Sequence, residues 1–228
     1  PQEQLGKNLF LDTQLSEPAG QACASCHEAG AGFADPDQSL PVSEGVILGR
    51  FGTRNSPSAA YAAFSPAFTM QGGIKGGQFW DGRAANLTEQ AKAPFLNPVE
   101  MNNTSRAQVI GKIQASVYAS LFTQVCGATA FDPANTDAAY HCMAEAIAAF
   151  EGTSELNAFT SKFDAFLAGR YVLTTQEDRG RRAPGEAAAE DRPVRLRLRR
   201  RRLGDRGGMT AGQRRAPTRP RRDRTERD

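Results

Sequence analysis

Cys23-Ala24-Ser25-Cys26-His27 places two thiols and an imidazole in one short run. The pattern is C-x-x-C-H, the spacing by which a polypeptide attaches haem covalently. Each thiol forms a thioether to a porphyrin vinyl group, and the histidine is held under the ring as the proximal iron ligand. A zinc site would need two further ligands from Cys126, Cys142 or His141, and these form no second tight C-x-x-C pair. A redox dithiol would sit at a strand-to-helix junction in a β-α-β pattern, and none is visible. The haem reading therefore leads.

Charge divides the 228-residue chain in two. Residues 1–177 hold 10 Lys+Arg and 17 Asp+Glu, a net of −7, with the apolar content of one compact domain. Residues 178–228 hold 18 arginines, no lysine and 8 acidic residues, a net of +10, so the overall +3 describes neither half. This second part has no aromatic residue and includes Arg199-Arg200-Arg201-Arg202. It buries too little apolar surface to offset the entropy of ordering, and is expected to be disordered. An arginine-rich arm can neutralise phosphates. The abrupt change after a normal helical pattern instead reads as GC-rich coding sequence in a shifted frame or as an aberrant join, and nucleic acid is not an expected partner.

No run approaches the length of a membrane span. The chain shows neither an initiator Met nor a signal peptide, which reads as a processed or trimmed product. Covalent haem attachment in bacteria takes place outside the cytoplasmic membrane, so the expected location is the periplasm. Cys126 and Cys142 are either a disulfide suited to that compartment or two buried thiols.

Hydrophobic periodicity predicts helices joined by long loops. Leu5, Leu9 and Phe10 mark a first helix, and the haem motif opens a second. From Gly30 to Gln78 the chain is rich in Gly, Pro, Ser and Ala and should be mostly loop, ordered by a bound haem. Asn86 and Glu89 resemble a capping box for a helix to about Lys92. Ser105 caps a helix with Val109, Ile110, Ile113, Val117, Leu121 and Phe122 on one face. Thr136 or Asp137 starts another, carrying Met143, Ala146, Ile147 and Phe150, and a last one near Ser161–Ala168 groups Phe163, Phe166 and Leu167. No segment reads as a strand. The expected fold is all-α, a cytochrome c-like helical domain with long haem-wrapping loops (1–177) followed by a disordered Arg-rich tail (178–228).

These residues resemble the bacterial di-haem cytochrome c peroxidases and their MauG-like relatives. The likeness is carried by Leu5–Phe10, Cys23–His27, Gly32-Phe33-Ala34-Asp35, Arg54-Asn55-Ser56-Pro57, Phe79–Ala84, Leu87–Ala91 and Asn97-Pro98-Val99-Glu100-Met101, in that order. It implies a peroxidatic N-terminal haem domain that reduces hydrogen peroxide with electrons from a periplasmic donor, such as a small cytochrome c or cupredoxin. A mono-haem electron-transfer domain and a MauG-like oxidase acting on a partner protein are the alternatives, and a homodimer is compatible with each. By the resemblance, Cys23 and Cys26 carry one haem c and His27 ligates its iron. Glu100 is the distal acid-base group, Gln90 orients peroxide, and Trp80 assists electron transfer between haems. Asn55 matches a ligand of a calcium held between two domains, to be completed by the second domain. Arg54 or Arg83 would meet haem propionates.

Two departures follow from the same comparison. No second C-x-x-C-H occurs, so complete peroxide turnover is not expected of this chain by itself. Many members carry a distal histidine in the loop before Arg54, yet Val42–Gly52 contains none. The distal site is expected to be open, with Met70 or Met101 as the alternative capping ligand. His141 is read as a non-ligand.

Overall fold

The computed structural model describes residues 1–37 and 39–182. As expected, the fold is all-α: no strand occurs among the described residues, only isolated bridges within loops. The helices are α1 (Gln2–Leu11), α2 (Cys23–Cys26), α3 (Leu87–Ala91), α4 (Ala93–Leu96), α5 (Arg106–Gln114), α6 (Ala119–Cys126), α7 (Thr136–Glu151), α8 (Lys162–Leu167) and α9 (Thr175–Arg181). None of them is long and apolar enough to cross a membrane. They fall into two compact units, residues 1–160 and a second from Ser161 onward.

In the first unit, α1 and α7 form the main helix pair. Leu5 and Leu9 stand one turn apart on α1 and are fully buried, as are Met143 and Ile147 on α7. Each such side chain contributes roughly 1.5–3 kcal/mol by leaving water. The helices meet closest at Gly6. A Cβ there would lie 2.6 Å from the carbonyl carbon of Ala146 and 2.8 Å from Phe150 Cβ, so only glycine permits this approach. One turn on, Phe10 meets Phe150 edge to face at 5.3 Å.

Helix starts follow the sequence closely. Asn86 Oδ1 accepts from the Glu89 amide at 2.9 Å, and Ser105 Oγ from the Gln108 amide at 3.2 Å. Only half of the expected box at Asn86 forms, because the Glu89 carboxylate turns to Lys92 Nζ instead. The long helix expected from Ser105 to Phe122 is in fact two. Ser116 Oγ donates to the Ile113 carbonyl at 2.7 Å, α5 ends, and Val117 is left fully exposed before α6 begins. Cys126 of α6 is disulfide-bonded to Cys142 of α7, which resolves the choice between disulfide and free thiols.

Between α2 and α3 the chain is loop with two 3-10 turns, Ala29–Ala31 and Ala62–Phe64, as its composition suggested. Antiparallel bridges at Glu28–Ala34, Glu44–Phe51, Thr69–Lys75 and Gln78–Ala84 tie it into successive hairpins and satisfy backbone groups without a sheet.

In the second unit, a Ser161/Asp164 capping box opens α8, with Phe163 and Phe166 stacked at 6.1 Å. A Thr174/Glu177 box starts α9, which runs through Asp178–Arg181 and so crosses the boundary at 177/178 drawn from composition. Asp178 pairs with Arg181, the last residue of α9, and with Arg182, its extended C-cap, at i+3 and i+4 spacing. The remaining arginine-rich stretch lies outside the described residues.

Candidate functional site

A cavity of about 670 Å3 opens in the first unit, within the usual range for a cofactor pocket. Cys23, Cys26, His27, Asn55, Trp80, Gln90 and Glu100 all line it, although they span the length of the chain from α2 to the turn after α4. Ala91, Pro94, Met101 and Ile147 supply apolar wall.

The single turn of α2 sets Cys23 and Cys26 on one face, three residues apart. Ser25 Oγ accepts from the Ala22 amide at 3.0 Å and the His27 amide donates to the Cys23 carbonyl at 3.0 Å, which closes the turn. His27 Nδ1 lies 3.1 Å from the Phe33 carbonyl. A carbonyl only accepts, so the proton sits on Nδ1 and Nε2 keeps its lone pair for a metal. Burial pushes the His27 pKa down, against the carbonyls of Phe33 and Pro57 and the charge of Asp35, and so favours the neutral ligating form. Phe33 delivers its carbonyl from a left-handed backbone, φ 59°, a conformation that costs about 1–3 kcal/mol in a bulky residue.

Both thiols are free. Burial, followed by the charges of Glu151 and Cys26, pushes Cys23 up to about 12, and burial also raises Cys26. Neither is the depressed thiol of a redox dithiol. The zinc reading also loses its other ligands, since Cys126 and Cys142 are bonded to each other. Two adjacent protonated thiols, a neutral histidine with a free Nε2 and a largely apolar cavity fit a covalently attached haem. Gln21 adds a contact that no sequence motif marks. Its Nε2 donates to Cys26 Sγ at 3.5 Å and to the Glu44 carbonyl at 3.1 Å, while its buried Oε1 has no hydrogen-bond partner among the described residues.

The Asn97–Asn102 turn holds Glu100. Asn97 Nδ2 donates to Glu100 Oε1 at 2.7 Å. Burial pushes the Glu100 pKa up, opposed by that bond and by the Arg83 charge. The loop from Ser43 to Gly52 is fastened onto this turn. The Val46 amide donates to the Glu100 carbonyl at 2.9 Å, and Arg50 Nη1 to the Pro98 carbonyl at 3.2 Å and to Asn102 Oδ1 at 3.3 Å. Gly45 packs so closely that a Cβ would lie 2.6 Å from the Val99 carbonyl carbon. Gln90 reaches the same cavity from α3.

Trp80 is not a core aromatic: it is 64% exposed, with Nε1 donating to the Asn55 carbonyl at 2.7 Å. Asn55 Nδ2 donates to the Pro41 carbonyl at 3.3 Å. Beside them Asp81 pairs with Arg54 at 2.8 Å and Arg83 at 2.9 Å, and Arg54 foremost holds its carboxyl down at about 2. Of the two candidate capping methionines, Met101 is buried in the cavity wall, whereas Met70 is 70% exposed and outside it. His141 is exposed beside Glu145, away from the cavity. Glu151, at the end of α7, is a buried cavity residue that the sequence did not single out.

The profile of the di-haem cytochrome c peroxidase family matches residues 1–172. The chain belongs to this family. It is 41% identical to the methylamine utilization protein MauG of Paracoccus denitrificans over 182 residues, 77% of this chain and 46% of that protein. It is 38% identical to the cytochrome c551 peroxidase of Pseudomonas aeruginosa, over 80% of this chain and 47% of that protein. The diheme peroxidase BthA of Burkholderia thailandensis superposes with a TM-score of 0.71 at 36% identity, over 78% of this chain and 45% of that chain. The chain thus spans about half the length of the curated relatives it matches.

Proposed function

We propose that the chain is the peroxidatic half of a haem-dependent peroxidase. The observation that carries this is the half-buried Glu100 carboxyl in the same cavity as Cys23, Cys26 and His27. Cys23 and Cys26 would hold one haem c through thioethers, and His27 Nε2 would ligate its iron. The haem, once attached, supplies the redox-active iron at which peroxide binds.

The residues of the chain do the proton work. Glu100 accepts a proton from peroxide and returns it to the leaving oxygen, a task that suits a carboxyl raised toward neutrality. Asn97 fixes the carboxyl and Gln90 orients the peroxide by hydrogen bonding. Overall, one peroxide, two electrons and two protons give two waters. The electrons come from a periplasmic donor of the small cytochrome c or cupredoxin class and pass by Trp80 at the cavity mouth. In a complete two-domain form, Asn55 offers an amide oxygen to an interdomain calcium.

A second reading has support of its own. Val42–Gly52 carries no histidine, and MauG of Paracoccus denitrificans is among the similar proteins, which favours an oxidase acting on a partner protein. Glu100 serves both. The test is Glu100→Gln in the haem-loaded chain, which keeps the Asn97 contact and removes the exchangeable proton. Reaction of the ferric protein with peroxide, followed by stopped flow, should slow by about 10²–10⁴-fold with cyanide binding retained. An unchanged rate would rule out the assignment.

A further inference from the structure

We propose that Glu151 is a redox-linked proton site of the cavity, a carboxyl that gains a proton when the haem iron gains an electron and loses it when the electron leaves. The inference rests on the haem reading above and adds a role for a residue which that reading leaves idle. Glu151 is 6% exposed, ends α7, and lines the same cavity as the attachment cysteines. Its charge is felt at Cys23, one of the two attachment thiols. No hydrogen bond or ion pair to its carboxylate is found among the described residues. Burial alone pushes its pKa up to about 8.

Among the described residues no fixed cation pairs with it. α7 packs against α1, α3, α5, α6 and the 3-10 turns at Ala62–Phe64 and Pro133–Asn135, of which α6 and the two turns carry no ionisable side chain free to titrate. On α1, Lys7 pairs with Glu155, and Glu3 is exposed. Lys92 after α3 pairs with Glu89, while Arg106 and Lys112 of α5 pair with Asp137 and Glu17. His141 and Glu145 on α7 face each other at the surface. Around the cavity stand Glu44, Glu100 and the Arg54–Asp81–Arg83 group, together with Cys23, Cys26 and His27. Thioether formation and iron ligation remove the last three from titration.

An uncompensated carboxyl in an apolar cavity is sensitive to one unit of charge nearby, because little solvent screens it. Ferric iron favours the carboxylate and ferrous iron favours the acid. The coupled step balances: the iron takes one electron from a one-electron donor such as a c-type cytochrome, and Glu151 takes one proton from water. The net charge of the cavity is then unchanged. Between the Glu151 pKa values of the oxidised and reduced protein the midpoint potential falls with pH, approaching about 59 mV for each tenfold change in proton concentration. Outside that window it is flat with respect to this group.

The experiment is spectroelectrochemical titration of the haem-loaded full chain across pH, for the parent, Glu151→Gln and Glu100→Gln. The parent and Glu100→Gln should show the sloping window and Glu151→Gln should lose it. A slope that survives in Glu151→Gln, or that vanishes only in Glu100→Gln, overturns the proposal. Should Glu151→Gln not retain haem, Glu151→Asp must move the window along the pH axis, and an unmoved window overturns it equally. Failure of the parent chain to attach haem, read by its mass, would instead remove the haem reading on which the proposal stands.

Discussion

Replacing Glu151 by glutamine should make the protein more stable in alkali and leave it little changed in acid. The folded carboxyl holds its proton to about pH 8, whereas its ordinary value is 4.5. Between those values the folded state binds one more proton than the unfolded state, so stability is present below about 4.5 and is lost as pH rises toward 8. The full interval corresponds to about 5 kcal/mol at about 1.4 kcal/mol for each pH unit. Relaxation and water entry reduce such penalties, and we expect a loss of about 2–4 kcal/mol. The assay is urea unfolding of the haem-loaded chain at about pH 5 and pH 8.5, with m-values checked for constancy. The parent should lose stability relative to Glu151→Gln on going to the higher pH. Equal pH dependence in both would refute the assignment of a lone buried carboxyl.

Asn97→Ala removes the donor that stabilises the Glu100 carboxylate, so the pH dependence of the peroxide reaction should move to higher pH, as stopped-flow rates would record. Gly45→Ala drives a methyl group into the Val99 carbonyl; we expect a loss of about 1–3 kcal/mol in urea unfolding and slower peroxide reaction, with haem attachment intact. Cys126→Ser with Cys142→Ser opens a loop of sequence separation 16 and should lower stability by about 3 kcal/mol, read by denaturant midpoint under oxidising conditions.

Helix starts were legible because a cap is a local device: Asn86 and Ser105 each satisfy an amide three residues on. The break at Ser116–Val117 was not, since the apolar spacing runs on through Val117 while α5 ends in tightened backbone bonds from Ala115 and Ser116 together with the bond from Ser116 Oγ to Ile113. The attachment motif names its own residues. The groups that tune it do not, because they act through folding. Phe33 contributes a backbone carbonyl, which has no sequence signature, and Gln21 and Glu151 reach the cavity from unrelated helices and loops. Trp80 was found by resemblance, but its exposure depends on the loops around it. In each case the missed information was long-range packing.

The central claim, that this half of the family architecture holds an open haem site reactive with peroxide, is tested by one spectrum: the ferric haem-loaded full chain before and after stoichiometric hydrogen peroxide. The account predicts a high-spin ferric form that changes at once on addition and is also shifted by cyanide. A low-spin histidine/methionine spectrum that peroxide leaves unchanged would contradict it, making Met101 the sixth ligand and the domain a carrier of electrons only.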